Sequence, residues 1–410
     1  MIDLDQRVQE AKEVMERQFA AFAAICAANT IRATKAMRAE RLAYEHFAPS
    51  GGYGYHDAGR DKLEACAARI FGTEAALLRQ QIVSGSHAIS LALHGNLLPG
   101  DELVCLGAPY DTLQTIIGLK GALPGSLAEL GVTCRVLETD FTEPDAGAIV
   151  DALSARGKML CLQRSRGYSW RKSLPIGQIE RVIRAVKQAR PDVIVFVDNC
   201  YGEMVEAQEP SHVGADLLAG SLIKNLGAGL TPGGGYVAGR AALVERAAVK
   251  LTVAGAGREV GSSLLSKRLY FQALFMAPAI VAEALAGAVF TAHLLGGLGI
   301  EVSPQAEEPR TDIVQCLRMP NKAALISFCQ GIQRYCPVDS FVTPLPGPMP
   351  GYDSDIIMAS GGFTEGSSIE LSADAPLREP YLLFVQGGLS RHHTAWAVEC
   401  TVRDMIAKGL

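Results

Sequence analysis

Val193-Ile-Val-Phe-Val-Asp198-Asn199 is an apolar run that ends in a carboxylate, and the next such run closes on Gly220-Ser221-Leu-Ile-Lys224-Asn225. A short, continuous apolar run bounded by polar residues reads as a strand buried on both faces, the kind found in parallel sheets. In an open α/β sheet the ligand crevice lies outside the carboxyl ends of the strands, which is where Asp198 would project. Read alone, Asp198 is more readily a turn or capping residue, and the bland reading of Lys224 is a surface lysine in a loop. Their pairing shifts the balance, because an acid ending one strand and an amine ending the next can face a single crevice. The apolar, glycine-rich surroundings of Lys224 predict a desolvated amine of lowered pKa, which is a nucleophile for a carbonyl.

Outward from this pair the same alternation continues. Runs at Glu102 to Leu106, Thr133 to Leu137, Met159 to Gln163 and Asp216 to Gly220 read as strands, and Ser86 to Leu97 and Ile176 to Ala189 read as helices between them. That order predicts an α/β domain built on a mostly parallel sheet. Before it, Asp3 to about Leu42 carries apolar residues at helical spacing and ends at the glycine-rich Pro49 to Tyr55, so residues 1–58 read as a helical arm and loop. The large domain is set at 59–285. Residues 286–410, punctuated by prolines from Pro304 to Pro350 and holding short strands at Asp312 to Leu317 and Ile356 to Ser360, read as a smaller α+β domain.

Composition narrows the function. With 38 Lys+Arg against 43 Asp+Glu the net charge is −5, and no basic run supplies a phosphate-backbone surface, which argues against nucleic acid. The ten cysteines lack C-x-x-C spacing, so neither a zinc site nor a disulfide framework is suggested. Free thiols and an N-terminus without the order of a secretory signal lead to a cytoplasmic expectation. Ala273 to Leu298 is apolar enough to suggest a membrane span, but Pro278, Glu283 and His293 favour a buried core helix. His392-His393 has no third ligand nearby and reads as surface, so no metal site is expected.

The Gly227 to Gly235 cluster fits neither the dinucleotide nor the nucleoside-triphosphate glycine pattern. Ile82-Val-Ser84-Gly85-Ser86-His87 is a better anion site, since small and hydroxyl residues stand directly before a helical run whose free N–H groups and dipole favour a phosphate.

These segments, together with Pro109-Tyr110-Asp-Thr-Leu, Gln163-Arg-Ser-Arg-Gly-Tyr-Ser-Trp-Arg171, Val197-Asp-Asn-Cys-Tyr-Gly-Glu203, Pro337-Val-Asp-Ser-Phe, Glu370-Leu-Ser-Ala-Asp374 and Arg378-Glu-Pro-Tyr381, resemble the methionine γ-lyase-like family often labelled "aluminium resistance protein". The resemblance runs from about His46 to Gln386. It implies the aspartate-aminotransferase-like fold (fold type I) of pyridoxal 5′-phosphate enzymes. By the same resemblance, Lys224 would form the Schiff base with the cofactor and Asp198 would pair with its pyridine nitrogen, making the ring an electron sink. Ser84, Gly85, Ser86 and Ser221 would hold the phosphate. Tyr110 would stack on the ring and protonate the leaving group, with His87 its rival for stacking. Tyr55 and Arg60 resemble the pair that related lyases lend to a neighbouring subunit's phosphate, which implies a homodimer or homotetramer with shared active sites.

Arg378 is the candidate for the substrate α-carboxylate, since guanidinium offers a planar two-pronged contact; its other reading is a surface ion pair with Glu379. Arg166 and Tyr168 are further candidates for lining the substrate pocket. The usual family run after the lysine, Asn-Pro-Gly-Gly-Gly, is here Asn225-Leu226-Gly227-Ala228-Gly229. The expected activity is elimination of a β or γ leaving group, sulfur before halide, from an L-amino acid, with Lys224 moving the Cα proton. An aminotransferase or decarboxylase on the same fold is the alternative, and a non-catalytic metal-tolerance protein the second.

Overall fold

The computed structural model describes residues 4–349 and 352–410; Asp3 and Pro350, which enter the sequence reading, lie outside them. Helix α1 (Leu4–Ala39) opens the chain, followed by α2 (Ala58–Phe71) and strand β1 (Ala75–Arg79). The alternation then runs α3 (Gly85–Asn96), β2 (Glu102–Leu106), α4 (Asp111–Ile117), β3 (Thr133–Leu137), α5 (Ala146–Asp151), β4 (Gly157–Gln163), α6 (Ile176–Ala189), β5 (Ile194–Asp198) and β6 (Leu217–Ser221). Strand β7 (Gly235–Gly239) and helix α7 (Ala241–Leu251) complete the large domain up to the long α8 (Arg268–Gly297). The smaller domain holds β8 (Glu301–Ser303), β9 (Val314–Arg318), α9 (Lys322–Arg334), β10 (Ile356–Ser360), β11 (Ser372–Pro376), β12 (Leu382–Gln386) and α10 (Arg391–Ala407).

The large sheet has the order β1-β7-β6-β5-β4-β2-β3. Strands β3, β2, β4, β5 and β6 pair in parallel, and β7 runs antiparallel to both of its neighbours. All five residues of β2, β5, β6 and β7 are buried, which explains why those strands are apolar along their length rather than alternating. Strand β7 starts at Gly235, the last glycine of the cluster, and is not among the strands read from the sequence. Gly239 has the reason for its glycine in the sheet, since a Cβ there would meet Asp216 O at 2.2 Å.

The smaller domain is a five-stranded antiparallel sheet, β10-β11-β12-β9-β8. Helix α8 joins the two domains through its own core. Tyr270 to Leu285 pack into the large-domain core, and Ala286 to Leu295 pack into the small-domain core. Helix α1 does the reverse: Val8 to Met15 enter the small-domain core while Ala33 and Ala36 enter the large one, so the helix lies antiparallel along α8. The N-terminal segment is therefore a strut across both domains, where the sequence had suggested a separate arm. Helix α8 is long and apolar enough to cross a membrane, yet 72% of its most apolar window is buried inside the protein, as a core helix requires. Each Leu or Phe buried along it contributes roughly 1.5–3 kcal/mol.

Candidate active site

Parallel register carries three polar side chains to one edge of the large sheet. Gln163 at the end of β4 sits opposite Asp198 at the end of β5, and Asp198 sits opposite Ala219, two residues before Ser221 ends β6. All three line a cavity of about 220 Å³ together with Ser84, Gly85, Ser86, Tyr110, Cys200, Tyr201 and Lys224. From the smaller domain, Val314, Phe384 and Gln386 close it, with Tyr168 and Tyr352 beside them.

The loop before α3 is built to hold an anion. Ser84 is the N-cap of α3, its hydroxyl accepting from His87 N at 3.0 Å, which leaves the first-turn N–H groups of Gly85 and Ser86 without intrahelical acceptors. Gly85 is close-packed: a Cβ there would stand 3.0 Å from Ser221 Cβ and 3.3 Å from Cys200 Sγ.

Asp198 is buried, and its Oδ1 accepts from Cys200 N at 3.2 Å. Burial raises its pKa above the usual carboxylate value, against the opposing pull of Lys224. The Lys224 amine lies 3.9 Å over the Tyr201 ring. Its environment corrects the sequence expectation of a lowered pKa. Burial pushes the amine down, while the negative charge of Asp198 pulls it up, and the net direction is above its ordinary range. Burial raises the phenols of Tyr110 and Tyr201, so both are neutral donors at physiological pH. Tyr110 and Ser86 both line the cavity.

The turn that follows Asp198 is strained and braced. Tyr201 has φ +69°, left-handed for a bulky residue, a conformation that costs of order 1–3 kcal/mol and persists only where the surroundings enforce it. The brace is a buried polar network. Arg164 donates to Asn199 Oδ1 at 2.8 Å and pairs with Glu206 and Glu209, and Asn199 Nδ2 donates to Glu209 at 2.9 Å. Beyond Lys224, Asn225 donates to Glu203 O at 2.8 Å, and Leu226, standing where the family proline is usual, is fully buried in the large-domain core. Gly227 admits no side chain, since a Cβ would lie 1.7 Å from Leu222 O, while Ala228 takes φ +50° without being glycine.

Five other sequence candidates lie outside the cavity lining. His87 turns back to its own loop, where Nδ1 accepts from Val83 N at 3.2 Å. Arg60 is buried and donates to Gly54 O at 2.8 Å while pairing with Asp61, so its guanidinium is engaged within the chain. Tyr55 is exposed and packs against Tyr53 at 5.6 Å between ring centres. Arg166 is buried away from the cavity, donating to Ser303 Oγ at 3.1 Å. Arg378 pairs at 3.5 Å with Asp111 rather than with Glu379, and no arginine lines the cavity among the described residues. Sequence reasoning gave no role to Gln163, Cys200, Tyr201, Tyr352, Phe384 or Gln386. For the first three, the signal was their position at a strand end (Gln163) or just past one (Cys200 and Tyr201).

The model of the methionine γ-lyase family matches residues 4–406. The chain belongs to that family. An uncharacterised Bacillus subtilis protein, YnbB, is 46% identical over 385 residues, covering 93% of this chain and 91% of the relative. The crystal structure of a candidate cystathionine β-lyase involved in aluminium resistance from Listeria monocytogenes is 44% identical, covers 97% of this chain and 99% of that one, and superposes with a TM-score of 0.94. A carbon–sulfur lyase involved in aluminium resistance from Clostridium novyi is 42% identical, with 98% and 96% covered and a TM-score of 0.93. A pyridoxal-5′-phosphate-dependent protein from Escherichia coli shares the fold at 16% identity and a TM-score of 0.61. The family member described here therefore has the fold-type-I architecture. Its donor set fits that cofactor: a helix N-terminus and Ser221 for a phosphate, an amine for an aldehyde, and a carboxylate for a ring nitrogen.

Proposed function

We propose that the protein is a pyridoxal-phosphate-dependent lyase that eliminates a β or γ substituent from an L-amino acid, with sulfur as the expected leaving atom and halide also accommodated. The observation that carries this reading is the convergence of Lys224, Asp198, Tyr110 and the Ser84–Ser86 helix start on one cavity. Bound there, the cofactor supplies an electron sink for negative charge at the substrate Cα. Ser84, Gly85, Ser86 and Ser221 would hold its phosphate, and Asp198 would hold a proton at its ring nitrogen. Lys224 Nζ, once neutral, takes the Cα proton and, for a γ substituent, must give that proton up again before it takes one from Cβ. Tyr110 remains protonated in its buried setting and gives its proton to the departing sulfur. Carbon–sulfur chemistry is supported by the names of the Listeria and Clostridium relatives.

A partner subunit belongs to the same proposal. Tyr53 (76% exposed), Val83 (76%) and Leu264 (72%) stand on neighbouring loops tied together by Gly261 N to Tyr53 O and Gln81 to Ser262 O. Val83 adjoins the Ser84 loop, so an interface there would bring a partner's Tyr55 toward this site. The free state of all ten cysteines suits a reducing, cytoplasmic setting.

The test is an assay of cofactor-loaded protein against β- and γ-substituted amino acids, thioethers and halides among them, for released ammonia and leaving group. Ammonia with a keto acid supports elimination. Amino-group transfer to a keto-acid acceptor, or release of carbon dioxide, replaces it with the aminotransferase or decarboxylase reading.

A further inference from the structure

The face of the small sheet that closes the cavity is unusual in its charge. Asp374 on β11 is directly opposite Phe384 on β12, and Gln386 lies two residues along on the same face. Phe384 and Gln386 line the cavity, and the alternate residues Leu383 and Val385 enter the small-domain core. Behind the lining, the Asp374 carboxylate is 4% exposed. Its Oδ2 accepts from Tyr168 OH at 3.1 Å and from Gln386 Nε2 at 2.5 Å, and its Oδ1 has no hydrogen-bond partner.

Those two bonds decide what the wall offers a ligand. With the Tyr168 proton and one Gln386 N–H committed to Asp374, the Tyr168 oxygen and the Gln386 carbonyl oxygen remain as acceptors. Three aromatic rings adjoin them. Tyr168 lies 5.1 Å from Phe384 and 5.8 Å from Tyr352 between ring centres, and all three line the cavity. Ring faces attract cations, and a desolvated carboxylate behind them adds to that attraction. Among the described residues, Lys224 is the sole cationic side chain lining the cavity.

We infer that Tyr168, Tyr352, Phe384, Gln386 and Asp374 form a subsite for a cationic group, an ammonium, at the far end of the substrate's side chain. The inference rests on the lyase reading for its chemistry and deepens it by naming a substrate class. Burial lifts the Asp374 carboxyl to about 6, so it is largely ionised at neutral pH, and a bound cation would favour that form further. A distal carboxylate would face Asp374 at close range and be repelled.

Three thioethers of similar size test this on the cofactor-loaded full chain: S-(2-aminoethyl)-L-cysteine, S-propyl-L-cysteine and S-carboxymethyl-L-cysteine. Both kcat/KM for thiol release and Kd by calorimetry are measured. The aminoethyl compound is expected to exceed the propyl compound by about 10-fold or more, and the carboxymethyl compound to be the poorest. Asp374→Asn should shrink the aminoethyl-to-propyl ratio to below about 3-fold. Should that variant fail to fold, Tyr352→Leu, at a half-buried position, should shrink the same ratio by at least about 3-fold. Turnover of all three without preference, or a ratio that neither variant changes, overturns the subsite while leaving the lyase intact. Preferential binding of the aminoethyl compound without thiol release supports the subsite and removes the lyase. Absence of both binding preference and release overturns the two together.

Discussion

Glu203 lies directly behind the Lys224 strand end, and its substitution by glutamine gives the sharpest physical test of the site's foundation. The side chain is fully buried, Oε1 accepts a single bond from Tyr236 OH at 2.9 Å, and Oε2 has no partner. It also explains Gly220, where a Cβ would come within 2.6 Å of Oε1. An ionised carboxylate with one bond and the Glu209 carboxylate for company is unfavourable, and burial lifts the Glu203 pKa from 4.5 to about 8. The folded chain therefore keeps a proton that the unfolded chain gives up above about pH 4.5. Stability from this group is fully present below that value and falls as pH rises through about 8, by about 1.4 kcal/mol per pH unit and up to ~5 kcal/mol in all. Glu203→Gln removes the titration while retaining an acceptor for Tyr236. Urea midpoints of both proteins between about pH 5 and pH 9 measure the difference. The variant is expected to gain on the native protein steadily up to about pH 8 and to hold a constant lead above it. Parallel curves across that range would refute the buried, protonated Glu203.

Three other perturbations address the chemistry. Lys224→Ala should abolish the visible absorption band of the lysine-bound cofactor together with all turnover; an unchanged spectrum would remove Lys224 from the mechanism. Tyr110→Phe should lower kcat/KM for a thioether by about 10²-fold or more but far less for a β-halide, whose leaving group needs no proton, and equal losses for both would deny Tyr110 the role of acid. Arg378→Ala breaks a half-exposed ion pair with Asp111, and such pairs contribute at most about 1 kcal/mol, so KM should change by less than ~5-fold. A rise of ~100-fold would return the α-carboxylate to Arg378.

How far the sequence could be read depended on whether position along a strand was enough. Asp198 and Lys224 were legible because a parallel strand delivers its carboxyl end to the crevice whatever its neighbours are, the Ser84 loop was legible because an N-cap is a local event, and Ser221 came only with the family resemblance. Arg60, Arg166 and Arg378 were harder for the same reason in reverse. A guanidinium on a long stem reaches whichever acceptor the tertiary fold supplies, here Gly54 O, Ser303 Oγ and Asp111. The strut formed by α1 escaped because its helical period tells which face is apolar but not that this face meets two cores in succession.

The small-domain wall was hidden by a different effect. Leu382-Leu-Phe-Val-Gln386 is a nearly unbroken apolar run, so its period-2 alternation is invisible, and the run itself reads only as a strand buried on both sides. Both faces are indeed buried, but by different things: Leu383 and Val385 by the domain core, Phe384 and Gln386 by the cavity. The one polar residue in the strand is also the one bonded to Asp374, and Tyr168, far away in the chain, shares that carboxylate. In this chain, then, a strand apolar on both faces with an amide at its end covers the candidate site with its second face. The proposed selection of a cationic side chain at that site rests on which side-chain donors Asp374 has already taken.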